Sequence, residues 1–185
     1  MSQQRVNGKL YLDDLYVGQR FGSGAHALDE AQITAFAGRF DPQPFHLDES
    51  AAKDTLFGGL AASGWHTAAI TMRLLVEGGA PIAGGIVGAG GEISWPKPTR
   101  PGDILQVESE VLEVAPSRSR PDRGIVTVRS ETFNQRGETV QIFKAKLVVP
   151  RRQHAAAEPT LTEAGPPAAE GPEATRPAAS SQSPG

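Results

Sequence analysis

Asp41 and His46 stand five residues apart in the segment Asp41-Pro42-Gln43-Pro44-Phe45-His46. An imidazole titrates near neutrality, and a carboxylate can take a proton or orient a water, so the two converging on one water make an acid–base pair. Pro42 and Pro44 fix backbone dihedrals around them and lower the entropic cost of holding both side chains in one geometry. Spacing alone is a weak signal, because loops carry Asp and His for many reasons. A second feature follows at Ala62-Ser63-Gly64-Trp65. Ser63 suits a helix N-cap, and a glycine at position 64 leaves the first-turn amides open to close approach by a ligand. Amides at a helix N-terminus favour a developing oxyanion. An oxygen-rich metal site built from Asp41, His46 and Asp48 is the less favoured reading, and no metal is expected.

The elements that must hold these residues are legible in the patterning. Arg20 to Leu28 reads as a short Gly-rich strand. Asp29 reads as an N-cap with Gln32 closing a capping box, and Ile33, Phe36 and Ala37 recur at helical spacing, which predicts a helix over 30–39. The prolines at 42 and 44 end it, and Asp48 is placed to cap a second short helix running to about Leu56. From Gly64 to about Val76 the residues Trp65, Ala68, Ala69, Ile70, Met72, Leu74, Leu75 and Val76 surround most of a helix, which predicts burial on most sides. Beyond Pro81 the period becomes two: Ile93 and Trp95, Leu105 and Val107, Val126 and Val128, then Phe143, Ala145, Leu147 and Val149 alternate with polar residues. Turn chemistry at Pro101-Gly102-Asp103 and Gln135-Arg136-Gly137 separates these runs. Several antiparallel strands after one buried helix predict an α+β fold, a curved antiparallel sheet wrapped around that helix.

Composition narrows the function classes. The domain is expected over residues 5–150, because the last 35 residues hold nine Ala, six Pro and a single large aliphatic, Leu161, and read as a disordered Ala/Pro-rich tail. The absence of cysteine excludes disulfides and thiolate chemistry. A net charge of −3 with no basic, aromatic-interleaved stripe argues against nucleic acid. Arg118, Arg120 and Arg123 read as a solvated hairpin loop, with contact to a nucleotide-tailed ligand as the alternative. The first residues carry no signal-like apolar stretch, and the region from Ala61 to Val76 is interrupted by Ser63, His66 and Arg73, so no membrane span and a cytoplasmic location are expected. His26, His66 and His154 are read as structural, and Trp65 and Trp95 as core or interface aromatics.

The order of these features resembles the MaoC-like, (R)-specific enoyl-CoA hydratase family of hot-dog proteins. That family's motif runs roughly Gly-Asp-x-Asn-Pro-x-His-x-Asp, followed by Phe and then Ala-His-Gly; this chain has Phe40-Asp41-Pro42-Gln43-Pro44-Phe45-His46-Leu47-Asp48, then Phe57 and Ala62-Ser63-Gly64. The resemblance spans about residues 10 to 150 and implies a hot-dog fold. It implies Asp41 and His46 as the catalytic pair, substrate contacts from Gly64, Ser63 and Gln43, and reversible addition of water to a trans-2-enoyl-CoA to give a 3-hydroxyacyl-CoA. Coenzyme A would then be the substrate's handle, with no separate cofactor, and a homodimer would be the partner arrangement. Three positions depart from the motif: Gln43 stands for Asn, Ser63 for His and Phe40 for Gly. They make a non-catalytic acyl-thioester-binding protein of the same fold one alternative; a hot-dog acyl-CoA thioesterase is the other, and the Asp41/His46 pairing argues against it.

Overall fold

A computed structural model describes residues 8–152. The element order is β1 (Arg20–Ala27), α1 (Glu30–Phe40), α2 (Pro44–Leu47), α3 (Glu49–Lys53), α4 (Gly64–Gly78), β2 (Val87–Ser94), β3 (Ile104–Pro116), β4 (Arg123–Phe133) and β5 (Thr139–Pro150), preceded by a 3₁₀ turn at Leu12–Asp14. All five strands form one antiparallel sheet in the order β1-β3-β4-β5-β2. The expected α+β architecture, a sheet curved around one principal helix, is the observed one, and it is the hot-dog fold. Register shifts between Gly22 and Ala25, between Gly88 and Gly91 and between Val111 and Glu113 interrupt the ladders. Such bulges add twist and bend the strands that carry them.

The inner face of the sheet is built by the alternation seen in the sequence. Leu105, Val107 and Val111 of β3, Val126 of β4, and Ala145, Leu147 and Val149 of β5 are buried, while Gln106, Glu108, Lys144 and Lys146 face out. Two apolar clusters result. One joins Ile70 and Leu74 of α4 to Leu28, Ile33, Leu60, Leu105, Val107 and Val140. The other packs Leu10, Leu12 and Leu15 under the far half of the sheet, against Val111, Val126 and Val149. A hydrogen bond of 2.6 Å between the Thr71 and Thr132 hydroxyls ties α4 to β4 where apolar packing alone would allow the helix to slide.

Local signals hold with three adjustments. Asp29 caps α1 by accepting from the Gln32 amide at 2.8 Å, but the Gln32 side chain does not close a capping box: it donates to the Ala27 carbonyl and meets His26 Nε2. The proline-rich segment is no plain loop. Pro44 opens the turn α2 at a position where the missing N–H costs nothing, and His46 sits on that turn. Helix α4 is buried on one face only: His66, Thr67, Ile70, Thr71 and Leu74 are covered, whereas Trp65 (62% exposed), Met72 and Val76 face outward. Binary pattern reports how apolar a helix is, and cannot report how much of that surface its own chain covers. The expected tail lies outside the described residues, apart from Arg151 and Arg152, which pair with Asp13 and Asp14.

Core and surface positions should separate cleanly in stability. Leu105→Ala, at a fully buried position, is expected to lower unfolding free energy by about 2–5 kcal/mol. Leu56→Ala, at a residue 98% exposed, should stay within about 0.5 kcal/mol of the parent. Urea denaturation of both variants checks the assignment of the core.

Candidate active site

Helix α1 ends at Phe40, so Asp41 is its C-cap, with an amide donating to the Ala37 carbonyl at 2.9 Å. One turn later His46 is delivered by α2 into the interior, 4% exposed. Its Nδ1 lies 2.7 Å from the Ala61 carbonyl oxygen. A carbonyl can only accept, so Nδ1 carries a proton, and in the neutral form of the ring Nε2 is the nitrogen with the lone pair. That lone pair faces Asp41 Oδ2 at 3.5 Å. A water seated to one side of the pair has hydrogens for both Nε2 and the carboxylate.

The carboxylate is held from two sides. Ser63 Oγ donates to Asp41 Oδ2 at 2.6 Å, and Gln43 Nε2 donates to Oδ1 at 2.7 Å. The hydrogen bond from Ser63 holds the Asp41 pKa below its ordinary value against the opposing effect of partial burial, with smaller contributions from the Gln43 hydrogen bond and from the charge His46 carries when protonated. Ser63 also caps α4, accepting from the Trp65 amide at 3.2 Å, so one hydroxyl fixes both the helix start and the carboxylate. Ser63 and Gln43, expected as substrate contacts, both hydrogen-bond Asp41 in the structure. The third departure, Phe40, turns outward at 68% exposure and packs on Phe36 with ring centroids 5.0 Å apart, clear of the pair.

A cavity of about 360 Å³ opens beside this arrangement, lined among others by His46, Phe57, Gly64, Thr67, Trp95 and Thr99. This lies within the usual size of a small-molecule site. Gly64 is required here for close packing: a Cβ would come within 2.8 Å of the Trp95 indole. As the first residue of α4, Gly64 has an amide with no acceptor inside the helix, at its positive end. Trp95 is anchored by a 2.9 Å hydrogen bond from Nε1 to the buried Gln141, and Thr67 donates to Thr99 at 3.0 Å along the cavity wall. Thr67, Thr99 and the Ala61 carbonyl carry no motif, and sequence reasoning passed over them. Small and β-branched residues look like ordinary core, and a backbone acceptor leaves no trace in side-chain identity.

The remaining candidates fall elsewhere. Asp48 caps α3 by accepting from the Ala51 amide at 2.7 Å and does not join His46 and Asp41. His66 is buried and stacked on Phe36 at 4.5 Å, so it belongs to the packing, but its Nδ1 has no partner among the described residues. Burial, then the proximity of His26, holds its pKa below the ordinary imidazole value. The loop with Arg118, Arg120 and Arg123 follows the C-terminal end of β3, a 13-residue strand that begins one residue after Asp103. At about 3.3 Å per residue the path along that strand to its cavity end is roughly 40 Å. His154 lies outside the described residues.

A profile of the MaoC like domain matches residues 16–133, more than half of the chain. The chain belongs to the MaoC-like dehydratase family. It is 68% identical to a MaoC-like dehydratase from Rhodospirillum rubrum of known crystal structure, with a TM-score of 0.76 over 77% of this chain and 98% of that one. The uncharacterized protein YdeM of Bacillus subtilis is 38% identical over 141 residues, 75% of this chain and 96% of its own length. A 3-hydroxybutyryl-CoA dehydratase of Methylorubrum extorquens is 34% identical over 117 residues, covering 60% of this MaoC-like chain and 69% of the relative.

Ser63→Ala is expected to raise the Asp41 pKa toward its ordinary value of 3.8, because the strongest donor to the carboxylate is lost. A folded-state pKa held below the unfolded one contributes stability above the unfolded pKa, and that contribution disappears as pH falls through the folded value. The parent should therefore lose more stability than Ser63→Ala on acidification below about pH 4. Carboxyl-carbon NMR titration of Asp41, with urea unfolding across the same range, reads both effects; an unmoved Asp41 midpoint would refute the assignment.

Proposed function

We propose that this chain is an acyl-thioester hydratase/dehydratase, adding water reversibly to a trans-2-enoyl-CoA to give a 3-hydroxyacyl-CoA. The observation that carries the reading is the approach of His46 Nε2 to the Asp41 carboxylate at 3.5 Å, with Nδ1 held by the Ala61 carbonyl, beside the N-terminus of α4. The kinship with a 3-hydroxybutyryl-CoA dehydratase supports it.

In the hydration direction the water donates one hydrogen to His46 Nε2 and the other to Asp41. As its oxygen bonds to Cβ, His46 takes a proton, and the double-bond electrons move toward Cα and the thioester oxygen. The Asp41 carboxylate stabilises the imidazolium formed, and the imidazolium returns a proton to Cα. The Gly64 amide and the dipole of α4 receive the negative charge on the thioester oxygen, an interaction stronger in the transition state than in the ground state. Ser63 and Gln43 position Asp41 and keep it ionised. Coenzyme A enters as part of the substrate, and the chemistry asks for no further cofactor.

Asp41→Asn and His46→Gln are each expected to lower hydration by about 10²-fold or more while unfolding cooperatively. The assay follows loss of the conjugated enoyl absorbance across short, medium and branched enoyl-CoA thioesters. Release of free coenzyme A without loss of the double bond would establish a thioesterase instead. Saturable binding without turnover, unchanged in Asp41→Asn, would establish an acyl-binding protein.

The same reading includes a homodimer. Trp65, Ala69, Met72 and Val76 recur at spacings of four, three and four on the outer face of α4, and β2 offers an unpaired sheet edge with Val87 exposed beside it. An apolar helix stripe next to an open edge is the surface a second copy would cover. Sedimentation equilibrium should give twice the chain mass, and Val76→Glu should shift the chain toward monomer; a monomeric parent at micromolar concentration would overturn this.

A further inference from the structure

Between α3 and α4 the chain runs through residues 54–63 without helix or strand, yet it supplies the carbonyl that sets the state of His46. Gly58 and Gly59 both have positive φ, at 63° and 151°, a backbone course that neighbouring contacts must maintain. The contacts come mainly from one side chain. Arg100 Nη1 donates to the Gly59 carbonyl at 2.7 Å and to the Leu60 carbonyl at 3.0 Å, and Nη2 donates to the Phe57 carbonyl. From the other side, Glu49 Oε2 accepts from the Leu60 amide at 2.7 Å. The next residue, Ala61, donates its amide to the Phe45 carbonyl and turns its own carbonyl to His46 Nδ1.

Arg100 is itself seated. Its backbone amide donates to Asp103 Oδ2 at 2.8 Å, and the buried Asp103 is held in turn by Arg136 at 3.0 Å. Its neighbour Thr99 takes the Ala62 amide on its carbonyl at 2.9 Å, so the pairing of 57–62 with 99–100 is continuous. A guanidinium presents several N–H groups in a rigid plane, which lets one residue hold three carbonyls at once; an ammonium donates from a single point.

We propose that Arg100 is a positioning residue for His46. By clamping the carbonyls of Phe57, Gly59 and Leu60 it fixes the adjoining Ala61 carbonyl, and through it the Nδ1–H tautomer that leaves Nε2 as the free base. It also places the Phe57 ring, whose centroid lies 5.9 Å from that of His46. This inference rests on the hydratase reading for its kinetic consequence, and on geometry alone for its structural one.

The test uses the full chain with Arg100→Met and Arg100→Lys. Long-range ¹⁵N-edited NMR reads the His46 tautomer, its signals assigned by their loss in His46→Gln. The parent should show the Nδ1–H form alone. Arg100→Met should show a mixture of tautomers and a kcat for enoyl-CoA hydration lower by about 10–100-fold, with KM within about threefold because no substrate contact is removed. Arg100→Lys should fall between, and it carries the test alone if Arg100→Met does not fold. Parent-like tautomer populations in the folded variants overturn the proposal even where activity falls. If the parent hydrates no enoyl thioester, the hydratase reading fails, and the tautomer populations still decide the role of Arg100.

Discussion

The hydrogen bond from His46 Nδ1 to the Ala61 carbonyl is the constraint on which the site depends. It makes the imidazole a base on its other nitrogen, and it does so inside the protein, where changing the donor pattern would leave a buried acceptor unpaired. Every nearby feature is consistent with keeping that bond. The turn α2 carries the ring inward, the glycine-containing segment before α4 bends to present its carbonyl, and Phe45 and Phe57 pack around the imidazole at 4.5 and 5.9 Å. The α+β architecture serves this local geometry by joining three stretches of chain, 41–46, 57–64 and 95–100, at one end of the sheet.

Ser63 is the second hinge of the arrangement. A hydroxyl can donate once while accepting, and here it donates to Asp41 and accepts from the first turn of α4. The helix dipole, the carboxylate and the imidazole are thus mechanically linked through one small side chain. A residue that departs from the family's motif, with Ser in place of His, thereby acquires a definite role. The Gln43 departure behaves alike, its longer amide reaching Asp41 Oδ1 at 2.7 Å. The bulk of Phe40 is accommodated by pointing it outward.

How far the site could be read beforehand depends on what kind of atom does the work. Asp41, His46 and Gly64 were legible because carboxylate, imidazole and a glycine at a helix start are chemically marked residue types in a recognisable order. Thr67, Thr99, Trp95 and Arg100 were not, because each lies between 26 and 59 residues from Asp41 along the chain and only chain folding brings them near. The secondary structure was legible for a different reason. Alternation in β3 to β5 and helical spacing in α1 reflect a buried inner face, so the pattern and the packing are one fact seen twice. Helix α4 was misjudged in extent of burial because its outer apolar stripe obeys the same pattern as its inner one.

By itself the sequence determined the principal helices and strands, the sheet's inner face, the caps at Asp29, Asp48 and Ser63, and the candidacy of Asp41 and His46, since each follows from local chemistry or from periodicity over a few residues. Only the tertiary structure decided which His46 nitrogen is protonated, that Ser63 and Gln43 serve the carboxylate, and that Asp48 stays with its helix. Those are questions of where a donor meets an acceptor to within a fraction of an ångström, and such distances are set by the whole fold acting together.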